Sequence, residues 1–330
     1  MKSIFDDKID KQDLYLLKQH SAIDQDQLQE ITNKESYAGL GDWKRFIKYF
    51  ILLMGSGLLI SGIVFFFAYN WNDLPAFAKF AIVLLLIGVC VVVSVTNRLS
   101  SLLRKVGLLS ASVLIGVLMA VFGQVYQTGA NAYDLFLSWT VAITAWTLVS
   151  KSSMQWLFQI FLVNLTIYLY LDQVIVDYSF FSVMALVLVI NVVLFGLPYW
   201  LSRYQNYTMA EYYKGVMALF CSAIAVFIIS ARIFVSYNAD AGELNGQVIG
   251  ILLSIVWLVG CYLISLKNKD IILFSYTGLS VATIGLMFLI RAFEIDGLAF
   301  LLYAIYVLAV TFGLIKLIMN KHKRWNHEAE

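Results

Sequence analysis

The chain has 330 residues, of which 61% are hydrophobic and only 13% charged, and its mean hydropathy is +0.80. Those values exclude a water-soluble domain and describe an integral membrane protein. A formal net charge of +2, with no pooled basic stretch, argues against nucleic acid as a partner.

The first 46 residues are polar and mixed in charge, without a basic run leading into an apolar one, so no cleavable signal peptide is expected. Within them "DKQDLYLLKQHSAIDQDQLQEITNKE" sets Leu14 and Leu17, then Ile23, Leu28 and Ile31, at helix-like spacing. Asp24 has the chemistry of an N-cap, with Gln27 in the capping-box position. The reading is a short cytosolic helical hairpin over 1–46; a docking site for a partner is the alternative.

A spanning helix needs roughly 20 apolar residues, and ten candidates follow in order: 47–69, 76–96, 106–126, 133–150, 155–171, 179–201, 214–236, 246–266, 271–291 and 297–318. The expected fold is therefore all-α, a polytopic bundle of about ten transmembrane helices. Residues 47–150 hold the first four spans, and 151–330 hold the other six with a short basic tail. The fifth span is the least secure, because Gln159 and Asn164 interrupt a short run.

Lysine and arginine test this count independently, since short cytoplasmic loops collect them. Lys44, Arg45, Lys48, Arg98, Arg104, Lys105, Lys151, Arg203, Lys214, Lys267, Lys269, Lys316, Lys321, Lys323 and Arg324 fall on one side, against Lys79, Arg232 and Arg291 on the other. Both termini are accordingly expected in the cytosol. The opposite loops are acidic, with Asp73, Asp134, Asp172, Asp177, Asp240, Glu243, Glu294 and Asp296.

In lipid, close helix packing depends on small residues four apart. Ser112, Gly116 and Ala120 form one such ridge on the third span, and Gly246, Gly250 and Ser254 form another on the eighth. Both are expected to face the bundle interior. Cys90, Cys221 and Cys261 all sit in apolar runs without CxxC spacing, so they read as packing residues rather than a disulfide framework or a zinc site.

Catalytic motifs are scarce. "GLGD" at Gly39–Asp42 and "YD" at Tyr133 and Asp134 mimic the two motifs of presenilin-type aspartyl proteases, whose chemistry needs two carboxylates sharing a proton. The expected topology puts these two carboxylates on opposite sides of the bilayer. His20, His322 and His327 all lie near the chain ends, which leaves no histidine in a span for a zinc or Ser/His mechanism. No Walker A loop occurs. No metal site and no cofactor are expected, and no catalytic residue is assigned.

The outer polar residues are the candidate site. In "AYNWNDLPAF", Asp73 and Pro75 read as the start of a helix, whereas Asn70, Trp71 and Asn72 are less readily explained by turn chemistry. In "MAVFGQVYQTGANAYDLFLSW", Gly129 and Asn131 are turn residues, and Tyr133 and Trp139 read as interfacial aromatics. Gln124 lies before the natural end of its helix, on one face with Gln127 and Ala120, and an amide at that depth faces the bundle or a water-filled cavity. Tyr126 and Asp134 complete this cluster. Arg291 and Glu294, three apart at the outer end of the ninth span, can pair on one face.

"FFFAYNWNDLP", followed some fifty residues later by "GQVYQTGANAYDLFLSW", resembles an uncharacterised bacterial family of predicted membrane proteins, domain of unknown function 2157. "AIDQDQLQEI" resembles the short helical lead-in of that family, with Ser21 where a glycine is more usual. The resemblance covers roughly residues 10–150 and implies a multi-pass protein of the bacterial cytoplasmic (inner) membrane. It brings no activity, substrate or catalytic residue.

Three functions remain in view. The first is binding or transport of a polar or amphipathic envelope solute, such as a sugar or lipid head group, in an outward-open cavity walled by spans one, three, four and nine. The second is a scaffold in an envelope complex, contacting a protein partner through the hairpin or the outer loops. The third is an enzyme acting on a lipid-linked substrate, with Asp73 and Asp134 as acid and base. Side chains converging on a cavity favour the first or third, and a flat polar surface favours the second.

Overall fold

The computed structural model describes residues 40–69, 74–175, 177–205, 207–235, 241–293 and 297–327. Residues 1–39 of the hairpin expected over 1–46, and the site residues Asn70, Trp71, Asn72, Asp73 and Glu294, lie outside the described residues. Among the described residues ten helices follow one another: α1 (Leu40–Tyr69), α2 (Ala76–Val95), α3 (Ser101–Tyr126), α4 (Ala132–Val149), α5 (Ser153–Gln173), α6 (Phe180–Gln205), α7 (Glu211–Phe234), α8 (Ala241–Asn268), α9 (Ile271–Ala292) and α10 (Gly297–His327). All ten contain a stretch long and apolar enough to cross a bilayer, and no strand occurs among the described residues. The protein is a polytopic helical membrane protein, and the bilayer is its environment.

The chain divides at Pro75 and Ala76 into two compact units. In the first, α1 begins at Leu40, seven residues before the expected start at 47, and none of its described side chains is buried within the protein. Leu58 and Phe65 are among the apolar side chains it leaves exposed. Such a surface is costly in water and matched to hydrocarbon.

In the second unit, α2 packs on α3, α3 on α4 and α5, and α4 on α5; α6 to α10 form a further group joined to these through α5. The connections α2–α3, α4–α5 and α6–α7 meet around one cavity, which defines a basic end of the unit. Helix ends follow from side-chain chemistry. Ser100 accepts from the Leu103 amide to open α3, and Asp270 accepts from the amides of Ile272 and Leu273 to open α9.

The ridge on α8 faces inward as expected, and so do Ser112 and Gly116 of the ridge on α3, whose third member, Ala120, is half-buried. Ser112 and Gly116 are buried in α3, where a methyl on Gly116 would overlap the Trp139 ring. On α8, Gly246, Gly250 and Ser254 are buried; Gly246 lies against Ser182, and Gly250 against Ile228 and Phe181. One interior cluster gathers Phe181, Leu188, Cys221, Ala225, Ile228 and Leu258 from α6, α7 and α8. Cys221 and Cys261 are buried free thiols, and Cys90 is half-buried.

The fifth span is a continuous helix of 21 residues. Its amides are turned inward, which is how a short, polar-interrupted run can exist in lipid. Asn164 and Asn191 exchange two carboxamide hydrogen bonds between α5 and α6, at 2.9 and 2.8 Å. Gln159 donates to the Thr140 carbonyl at 3.1 Å and to the Thr144 hydroxyl at 2.9 Å.

Candidate functional site

The turn between α3 and α4 determines the shape of the expected site. α3 ends at Gln127, which takes a left-handed conformation (φ 46°, ψ 47°) and returns its amide to the Gly123 carbonyl. Gly129 follows with φ 60°, a conformation that a residue without a Cβ adopts at no steric cost. The chain then enters α4 at Asn131, whose amide donates to the Asp134 carboxylate at 3.1 Å. A carboxylate in the first turn also meets the positive end of the helix dipole.

Between these two helix ends lies an open concavity of about 570 Å³. Its polar lining comprises Gln124, Gln127, Thr128, Asn131, Asp134 and Ser138, set among apolar residues including Phe122 and Leu135. Gln124, expected to face either the bundle or a water-filled cavity, is exposed on this concavity and not packed into the bundle. The α3–α4 bend, not the core, is what its side chain faces. Among the described residues its carboxamide has no hydrogen-bond partner, whereas Asp134 is engaged in holding the start of α4.

The other candidates separate. Tyr126 packs against Phe122, with ring centroids 4.7 Å apart, and against Phe80 at 6.1 Å, and does not line the concavity. Arg291 is exposed at the end of α9, a helix that packs on α7, α8 and α10. It is not among the residues that line the concavity.

Trp139 departs from its reading as an interfacial aromatic. Its indole nitrogen donates to the Ser112 carbonyl at 2.7 Å, and its ring fills the space that Gly116 leaves open. Tyr133 lies nearer the helix start; its amide donates to Gln173 at 3.1 Å and its ring contacts Tyr170.

The sequence reading missed a buried polar seam across α3, α4 and α5. Gln155, fully buried, donates to the Ser112 hydroxyl at 2.8 Å and to the Thr147 hydroxyl at 3.1 Å. Thr147 continues to Gln159 at 3.3 Å, and Thr140 meets Thr166 at 3.3 Å. The signal was present as Gln155 and Gln159 four apart on one helix, facing Thr140, Thr144 and Thr147 at three- and four-residue spacing on the preceding one. Each amide has partners, so the seam acts as interhelical glue.

No curated protein and no solved structure matches the chain. Residues 16–156, which include the Gln124–Asp134 concavity, match the family model described as Predicted membrane protein (DUF2157), the same family that the "GQVYQTGA" run resembles.

Proposed function

We propose that the protein binds, and in one form of this reading transports, a polar or amphipathic solute at the α3–α4 concavity. Sugars and lipid head groups are the chemistry that suits it. The carrying observation is the Gln124 carboxamide, which has no partner among the described residues and lines a hollow that also presents Gln127, Thr128 and Ser138. Amides and hydroxyls offer both donors and acceptors, as a polyhydroxylated ligand requires. A volume of about 570 Å³ falls in the range of small-molecule sites, roughly 300–1,000 Å³. Concave lining supports binding over a scaffold role, for which a flat polar face would serve. The sorting of basic residues supports an outward-facing hollow in a cytoplasmic membrane with both termini in the cytosol.

The test uses purified protein in phosphatidylcholine nanodiscs, titrated with glucose, N-acetylglucosamine and glycerophosphoethanolamine while its melting temperature is followed. A binder at one hundred times its Kd stabilises by about 2.7 kcal/mol. Gln127→Gly removes a lining amide while favouring the left-handed turn, so it should abolish the stabilisation without unfolding the protein. No shift with any probe, or a shift unchanged in this variant, counts against the site.

A further inference from the structure

We propose that the basic end of the second unit holds a site for a phosphate-bearing anion, in the cavity of about 880 Å³ where the ends of α2 to α6 meet. This site is distinct from the α3–α4 concavity and does not depend on it. Its lining brings together Arg104 and Lys105 from α3, Lys151 from the α4–α5 connection and Arg203 from α6. Among the described residues, no carboxylate lines it. Asp270, which borders the neighbouring groove, is paired with Lys214 and caps α9.

Four cations from three separate parts of the chain repel one another, and solvent screens that repulsion only in part. Sidedness alone needs basic residues near the membrane surface; it does not need them around one hollow. The geometry adds directed donors. Arg104 Nη1 donates to Asn97 at 2.9 Å, which orients the guanidinium, and among the described residues its buried Nε has no hydrogen-bond partner. A held guanidinium with free donors is suited to phosphate oxygens. The first turns of α3 and α5 open at the same cavity through Ser101 and Ser152, and helix N-termini favour anions. The Ser152 hydroxyl accepts from the Gln155 amide and keeps its own proton to donate. Tyr207, another lining residue, adds a phenolic O–H donor.

The phosphate has two possible sources, an anionic phospholipid and a soluble phosphate. Arg203 also borders an apolar groove of about 780 Å³ between α6 and α8, walled by side chains such as Val189, Val193 and Val256. An acyl chain in that groove would leave its head group beside the basic cavity, and basic pockets between transmembrane helices hold lipid phosphates in this manner.

The full chain is purified and placed in nanodiscs of phosphatidylcholine alone, of phosphatidylcholine with phosphatidylglycerol, or of phosphatidylcholine with added inorganic pyrophosphate, against sodium chloride of equal ionic strength. Melting temperature and, for lipid, retention in native mass spectrometry are read. Stabilisation by phosphatidylglycerol but not pyrophosphate assigns the site to a lipid; stabilisation by pyrophosphate alone assigns it to a soluble phosphate. Arg104→Gln and Lys151→Gln should each weaken binding about fivefold, the effect of one lost cation beside a lipid phosphate. Lys151 is exposed in a connection, so its variant tests the site even if the Arg104 variant misfolds. Lys267→Gln, an equal charge change at an exposed position outside the cavity, should leave binding unchanged. Neither probe binding, or Lys267→Gln weakening it as much as Lys151→Gln, overturns the proposal.

Discussion

The hydroxyl of Tyr213 on α7 donates to the carbonyl of Leu194 on α6 at 2.9 Å. That carbonyl lies four residues before Pro198, inside α6, which has no N–H to return to it. A fully buried tyrosine from the next helix therefore supplies the donor that the sequence of α6 withholds. In a bilayer, where no water can substitute, a broken helix bond has to be satisfied by a neighbour of this kind.

Tyr213→Phe should thus cost more than a methylene-scale packing change, about 1–3 kcal/mol for an orphaned buried acceptor. Pro198→Ala restores the helical donor, so the same Tyr213→Phe change should cost clearly less in that background. Chemical unfolding of the four proteins in detergent gives the coupling between the two sites. An equal cost in both backgrounds would show that the hydroxyl does not compensate for the proline.

A second pair sets the spacing of α3 and α4. Because a methyl at position 116 would overlap the Trp139 ring, Gly116→Ala should destabilise by about 1–3 kcal/mol through overpacking. Trp139→Phe shrinks the ring but gives up the hydrogen bond to Ser112. The double variant should therefore lose less than the sum of the two singles when measured by the same unfolding. Strict additivity would mean that α3 and α4 shift apart freely.

What could be read from the sequence was what hydrocarbon imposes directly. All ten spans correspond to helices, most with ends within a few residues of the expected ones, because length and apolarity are the conditions for crossing a bilayer. The two small-residue ridges were legible for a similar reason: only Gly, Ala or Ser lets backbones approach so closely. Partner choice was not legible. Gln159 and Asn164, taken singly, read as interruptions of the fifth span, yet each is satisfied by a side chain or carbonyl on a neighbouring helix. Trp139 suited an interfacial belt by type and position, and the vacancy that takes its ring is created by a glycine 23 positions earlier. The cations of the basic cavity were accounted for one loop at a time as topology; their convergence depends on how three connections pack.

The orientation proposed for the bundle rests on those same cations and is open to a direct test. Reporter fusions at residues 151 and 330 should read cytosolic, and fusions at 131 and 175 external, because short cytoplasmic loops retain lysine and arginine. An external reading at 330 would break the even number of crossings between the ends. A reversed reading at all four positions would move the basic cavity to the outside and the α3–α4 concavity to the cytosol.

Gln124 offers the sharpest separation between glue and site. Its carboxamide lines the α3–α4 concavity and, among the described residues, makes no hydrogen bond, in contrast to the fully buried Gln155 with its two hydroxyl partners. Gln124→Leu keeps the approximate size and removes only polarity, so insertion should be unaffected. The melting temperature should change little, because no internal bond is broken. Gln155→Leu should instead lose about 0.6–2 kcal/mol, the scale measured for hydrogen bonds between membrane helices. Ligand-dependent stabilisation should show the opposite pattern, vanishing in Gln124→Leu and persisting in Gln155→Leu wherever the latter stays folded. If Gln124→Leu were as destabilising as Gln155→Leu while ligand response survived, the residue would be structural, and the concavity would lose the side chain on which its role as a binding site rests.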